Sequence, residues 1–214
     1  MPYLIRSVLI ALFLMLTACS SMYYSGLEKI GIPKRDVMVH RVEKARDTQE
    51  QTKEQFKSAL EQFTAATQFD GGDLEKVYNK LNSEYEASVD QAELVRKRID
   101  SIEDVSGALF EEWEDEIEQY SSASLKRNSQ RQLTATKRQY KQLIAAMEKA
   151  ESKLEPVLTV FKDQVLYLKH NLNARAISSL KNELSSIKSD VSSLITAMEK
   201  SIDEANAFIS SMEN

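Results

Sequence analysis

Beyond Asp73 the chain contains only two residues able to interrupt a helix, Gly107 and Pro156. Strand-forming runs of β-branched residues are missing from the same stretch, which is filled with Ala, Leu, Glu, Lys, Gln and Ser. Such a segment can bury its apolar side chains only by presenting them as stripes along long helices. The expected fold is therefore all-α.

The stripes can be read one by one. Pro33 suits the first helical position, where its missing N–H costs nothing, and Val39, Val42, Phe56, Ala59, Phe63 and Ala66 come after it at helical spacing. This first helix is expected over residues 33–68. Its middle, Arg46 to Gln55, is nearly all polar, so a weakly filled seam that another chain could cover is expected there. Asp70-Gly71-Gly72-Asp73 is the strongest turn, with Asp73 placed to cap the next helix. That second helix, 73–120, carries Ala92, Val95, Ile99, Ile102, Ser106, Leu109 and Trp113 in near-heptad rhythm. Ser121 to Ser124 form a soft break, because serine competes for backbone hydrogen bonds yet does not force a turn, and one continuous helix through them is the alternative. The third helix, 124–171, runs from Leu133 to Leu172 in steps of three and four, with Pro156 expected to kink it and not to end it. Asn171-Leu172-Asn173 precedes a fourth helix, 174–212, striped from Ile177 to Met212.

Short turns between four helices predict an antiparallel up-down-up-down four-helix bundle or coiled coil. The middle two helices are longer than the outer two, so they are expected to project as a two-helix arm by roughly 15–20 Å at ~1.5 Å per residue. A turn near Ser122 would set Glu118 opposite Lys126, and Trp113 or Glu114 opposite Arg131. Residues 33–214 form a single domain in this reading.

The N-terminus belongs to another class of segment. Arg6 is the only charged side chain before Glu28, and Val8 to Leu16 hold no polar residue. That apolar run is too short to span a bilayer, which takes about 20 residues, and matches a secretory signal over residues 1–18. Leu16-Thr17-Ala18-Cys19 then resembles the lipobox of bacterial lipoprotein precursors, in which small residues fit the signal peptidase and the cysteine thiol accepts a diacylglyceryl group. Cys19 is the chain's only cysteine, so no disulfide can form within the chain, and acylation leaves no thiolate for catalysis. Residues 19–32, with Gly26 and Gly31, read as a lipidated tether with one helical turn around Leu27-Glu28-Lys29. Attachment through two or three acyl chains is stable where one chain is marginal.

Sites of chemistry are few. The two histidines, His40 and His170, are expected far apart in the bundle and cannot share a metal. Paired carboxylates in Glu111-Glu112-Trp113-Glu114-Asp115-Glu116-Ile117-Glu118 could act as acid and base only in a cleft that perturbs them. Phosphate-binding glycine loops, nucleophile elbows and zinc spacings do not occur. The expectation is no enzyme, no cofactor and no metal. Trp113, Glu114, Asp115 and Arg131 at the arm are the candidate partner-docking residues. The formal charge of −5 becomes −6 once Arg6 is removed, which argues against nucleic acid or anionic lipid as a general partner.

Several strings taken together resemble one known family. They are the lipobox, Tyr23-Tyr24, Gly31-Ile32, Lys34-Arg35-Asp36, Phe69-Asp70-Gly71-Gly72-Asp73-Leu74, Glu112-Trp113-Glu114-Asp115-Glu116, and Leu168 through Ile177. The chain is similar to a family of uncharacterised bacterial lipoproteins, the domain of unknown function numbered 2959. That resemblance implies a helical, membrane-attached protein and supplies no activity or ligand. Ser20 after the cysteine, in lipoproteins of this kind, implies outer-membrane sorting, with the body expected to face the periplasm. The expected role is a lipid-anchored scaffold, spacer or partner-docking protein of the cell envelope, the partner being another protein or a second copy. A regulator of an envelope enzyme or transporter is a variant of that role. A membrane-remodelling helical protein is the alternative.

Overall fold

The computed structural model describes Tyr24 and residues 26–69 and 71–213. Among these the secondary structure is helical throughout. The long elements are α1 (Lys34–Ala66), α2 (Leu74–Gln119), α3 (Ala123–Glu151), α4 (Leu154–His170) and α5 (Ala174–Glu213). A short helical segment, 26–29, precedes them.

Each boundary has a local cause. Pro33 stands in extended conformation immediately before α1. The α1–α2 turn places Gly71 at φ 147° and Gly72 at φ 120°, in a region a Cβ would strain. Asp73 then caps α2 by accepting hydrogen bonds from the backbone of Glu75 (3.0 Å) and Lys76 (3.4 Å). Tyr120 is extended, and Ser122 caps α3 through the amide of Leu125. The serine break is therefore a true turn. Asn173 caps α5 through the amides of Arg175 (2.9 Å) and Ala176 (3.3 Å).

The expected continuous helix over 124–171 is instead two helices, with Ser152 and Lys153 between them. Proline explains the position of the break. Pro156 has no N–H for the carbonyl four residues back, and its ring crowds that same carbonyl. That carbonyl belongs to Ser152. Ser152 and Lys153 keep near-helical dihedrals, so α4 continues as a second limb. Both limbs pack against α2 and α5. Arg96 of α2 spans the break, donating to Glu151 at 2.7 Å and to Glu155 at 3.0 Å.

Helix α1 lies against α2 and α5, and α5 lies also against α3 and α4. The core runs between them along the full length, from Met38, Val42 and Leu109 near one end to Phe63, Leu81 and Leu168 at the other. Toward that second end the rings of Phe56 and Phe63 stack on Phe161, with centroids 6.1 and 4.5 Å apart. The polar middle of α1 is not an open seam. Thr48, Gln49, Thr52 and Lys53 are buried within the chain itself. The threonine hydroxyls donate to carbonyls one turn back, and Lys53 reaches Glu50 at 2.7 Å.

Candidate functional site

The α2–α3 hairpin and the segment before α1 share one end of the molecule. From Glu112, level with the start of α1, helix α2 runs on for about seven residues to Gln119. This is about 10 Å at ~1.5 Å per residue, a shorter projection than helix lengths alone imply. The hairpin is closed by the Trp113 indole N–H, which donates to Ser129 Oγ at 2.8 Å. Lys126 joins Glu118 at 2.7 Å, and Lys137 joins Glu114 at 2.5 Å. The Glu118–Lys126 register thus agrees with the sequence. The pairing of Trp113 or Glu114 with Arg131 does not form. Arg131 donates to Asn128 on its own helix at 2.6 Å, and Lys137 is the partner of Glu114. Of the four candidate docking residues, Trp113 is half-buried against the core, while Glu114, Asp115 and Arg131 are exposed.

The larger departure concerns residues 19–32. Cys19 lies outside the described residues, but Tyr24 and residues 26–32 are not a free tether. Tyr24 is fully buried, its hydroxyl donating to Asp104 of α2. The Arg41 guanidinium of α1 sits 5.3 Å from the Tyr24 ring centre and 3.2 Å from the same aspartate. Arg41 also donates to the carbonyl of Ser101 at 2.5 Å. A few residues on, Glu28 and Glu112 share the buried ammonium of Lys34, the Glu112 contact being 2.7 Å. The chain then reverses through Gly31, at φ 86°, into Pro33 and α1. The segment is a strap laid back along the α1–α2 groove.

The electrostatics follow from burial. Burial, aided by the bond to Asp104, pushes the Tyr24 phenol up to about 12, the Arg41 charge opposing. Burial also raises the Glu112 carboxyl against the pull of Lys34, whereas the hydrogen bond from Lys34 lowers Glu28. Lys34 loses hydration, yet its bonds to Glu112 and Glu28 outweigh that and raise it. The cluster is an internal lock, made of groups that satisfy one another.

Two hollows accompany it. One, of about 400 Å³, lies at the base of the hairpin among Pro33, Lys34, Leu109, Trp113, Thr136 and Met212. The other, of about 870 Å³, is a groove between α3 and α5, floored by Ala145, Ala146, Ser192 and Ser193 and edged by Lys149 and Lys200. Its signal in the sequence was the run of small residues on both helices, which apolar-stripe reading passes over. No group of three or more His, Cys, Asp or Glu among the described residues could hold a metal ion.

A family profile, described as a protein of unknown function (DUF2959), matches residues 23–212. The chain belongs to this family. The match begins at the strap, beside Tyr24, and so includes the docked segment as well as the helices. In DUF2959 the description carries no activity or ligand. No match emerges among curated proteins or solved structures.

Proposed function

We propose that this member of the family is an acylated, helical protein of the bacterial cell envelope that acts as a scaffold, spacer or docking partner. The observation that carries the reading is the strap. Five residues after Cys19 of the lipobox-like Leu16-Thr17-Ala18-Cys19, Tyr24 is locked between α1 and α2, and Glu28 then bonds Lys34 of α1. A loose tether would let the body tumble about its anchor. A locked one sets the body's position relative to the anchor, which is what a spacer or scaffold needs. None of the helices is long and apolar enough to cross a membrane among the described residues, so attachment is assigned to the lipid on Cys19. In this reading the outer membrane holds the acyl chains and the body faces the periplasm.

The helical body is proposed as an antiparallel up-down-up-down bundle. In it α3 and α4 make one broken column lying diagonally across from α1. Supporting this is the pattern of neighbours: the backbone of α1 runs beside α2 and α5, it meets α4 through side chains that reach across the core, Phe56 and Phe63 on Phe161, and the turns at 67–73, 120–122 and 171–173 are short. A protein partner, or a second copy, is proposed to use the exposed surface at Asp115 and Arg131 or the α3–α5 groove. The charge-satisfied lock and the filled core support a non-enzymatic role.

The deciding experiment is Cys19→Ser with fractionation and mass analysis. The expected result is an unacylated chain, with no mature-size protein in the membrane fraction. Mature-size variant still tightly membrane-bound would overturn the attachment. Crosslinking in cells followed by mass spectrometry should then return the same protein partner repeatedly from Asp115, Arg131 or the groove lysines.

A further inference from the structure

We infer that the hairpin end of the molecule rests in the surface of the lipid bilayer, tilted toward the α1–α2 face, because the docked strap leaves too little chain for the opposite end to meet the membrane and the exposed apolar side chains of the two turns lie at the hairpin end. The inference rests on Cys19 being the acylated residue. From Cys19 to Tyr24 is about five residues, which span at most ~18 Å fully extended. Tyr24 is held at the level of Asp104. From Asp104 the far end of α2, at Leu74, is about 30 residues away, roughly 45 Å. The anchor cannot reach a membrane at that end. The hairpin end, at Gln119, is about 15 residues or roughly 22 Å away. A molecule standing on its hairpin would need slightly more tether than exists, so the tip must either sink into the headgroups by a few ångströms or tilt toward the strap.

The side chains at this end suit that position. Ile30 (72 % exposed) and Ile32 lie on the strap turn, and Tyr120 and Leu125 (53 % exposed) lie on the hairpin turn. Tilting toward the α1–α2 face lowers the strap turn toward the plane that the hairpin touches, bringing the two apolar pairs down together. Large apolar side chains on two neighbouring turn tips are costly in water and favourable in the interfacial layer. Charge is not the attractant. The exposed charges toward this end are of both signs, Glu111, Asp115 and Glu116 with Arg35 and Arg127, so contact should persist at high salt and without anionic lipid.

The test uses the lipidated full chain, in which acylated Cys19 leaves no free thiol. One cysteine is introduced at Leu125, or at Leu172 on the opposite end as a control, and labelled with a fluorophore. The protein is then placed on vesicles of phosphatidylethanolamine with phosphatidylglycerol that carry a shallow nitroxide lipid. Quenching several-fold stronger at position 125 than at 172 is expected, and unchanged in high salt. Tyr24→Ala, checked for helix content, should release the strap and lower quenching at 125 while acylation and vesicle binding persist. Equal quenching at both positions, with the acyl mass present on Cys19, would overturn the orientation and leave the anchor intact. Absence of that mass would overturn both.

Discussion

Gln49 is buried to 1 % exposure, and neither its amide nitrogen nor its oxygen has a hydrogen-bond partner. Ser201 Oγ on α5 is in the same condition. The Arg46–Asn206 bond and the Lys57–Glu199 attraction align this part of α1 with that part of α5, so both orphans lie along one seam. An unmet buried polar group costs about 1–3 kcal/mol. Gln49→Met, similar in volume and without the amide, should therefore raise stability by roughly 1–2 kcal/mol in chemical denaturation. A fall would mean that the amide has a partner when the protein is folded in solution. Phe161 gives the opposite case. It stacks on Phe56 and Phe63 with no exposed surface, and Phe161→Ala should cost about 3–5 kcal/mol by the same measurement.

The α3–α4 break is a property of an element pair. Pro156 denies Ser152 its helical donor, yet Leu154 and Val157 immediately around the proline are buried, so the core is packed to the broken geometry. Pro156→Ala would restore the backbone bond and straighten the column, displacing those side chains. The melting temperature should stay level or fall, and a clear rise would show that the break has no packing counterpart. Arg96 holds the two limbs from outside, and its bond to Glu151 raises an already high affinity for protons. Arg96→Gln should cost only about 1 kcal/mol, since these groups are partly exposed. For the hairpin, spin labels replacing Glu114 and Lys137 should report a short separation. One continuous helix would place them about 35 Å apart at ~1.5 Å per residue.

For the whole molecule, the strap is the part that pH can detach. Tyr24 is raised from 10.0 to about 12, and Lys34 is raised above 10.5. A group whose affinity for protons is higher in the folded state contributes stability that is complete below its unfolded value and is lost as pH climbs through the folded one. Both groups therefore act in the same direction, and the strap should loosen above about pH 10. In acid the effects oppose. Glu28 is lowered, so its contribution fades as pH falls, whereas Glu112 is raised and gains. Burial raises Tyr140 as well, so phenolate absorbance should show late-titrating tyrosines of which one disappears in Tyr24→Phe. Alkaline loss of thermal stability should be smaller in that variant. Loss of an ordinarily titrating phenol in Tyr24→Phe, with the late part of the titration unchanged, would place Tyr24 outside the lock.

Local chemistry was enough for much of this. Apolar spacing and the scarcity of Gly and Pro determined that the chain is helical, and Asp73 marked one helix start, because caps and stripes depend on neighbours within a few residues. The serine and Asn171–Asn173 segments marked where two more helices begin without naming Ser122 or Asn173 as their caps. The Glu118–Lys126 register also came from turn position alone. What only the tertiary structure decided was everything that depends on a distant partner. Tyr24 read as tether because its burial requires Asp104, which lies far along the chain but next to it in space. The polar middle of α1 read as an open seam because nothing local reveals that α2 and α5 cover it. The effect of Pro156 was visible as a kink, but packing against α2 and α5 determined that it became a break between two limbs of one column. Burial is a property of the folded surface, and a one-dimensional pattern reports it only where the covering element is its own sequence neighbour.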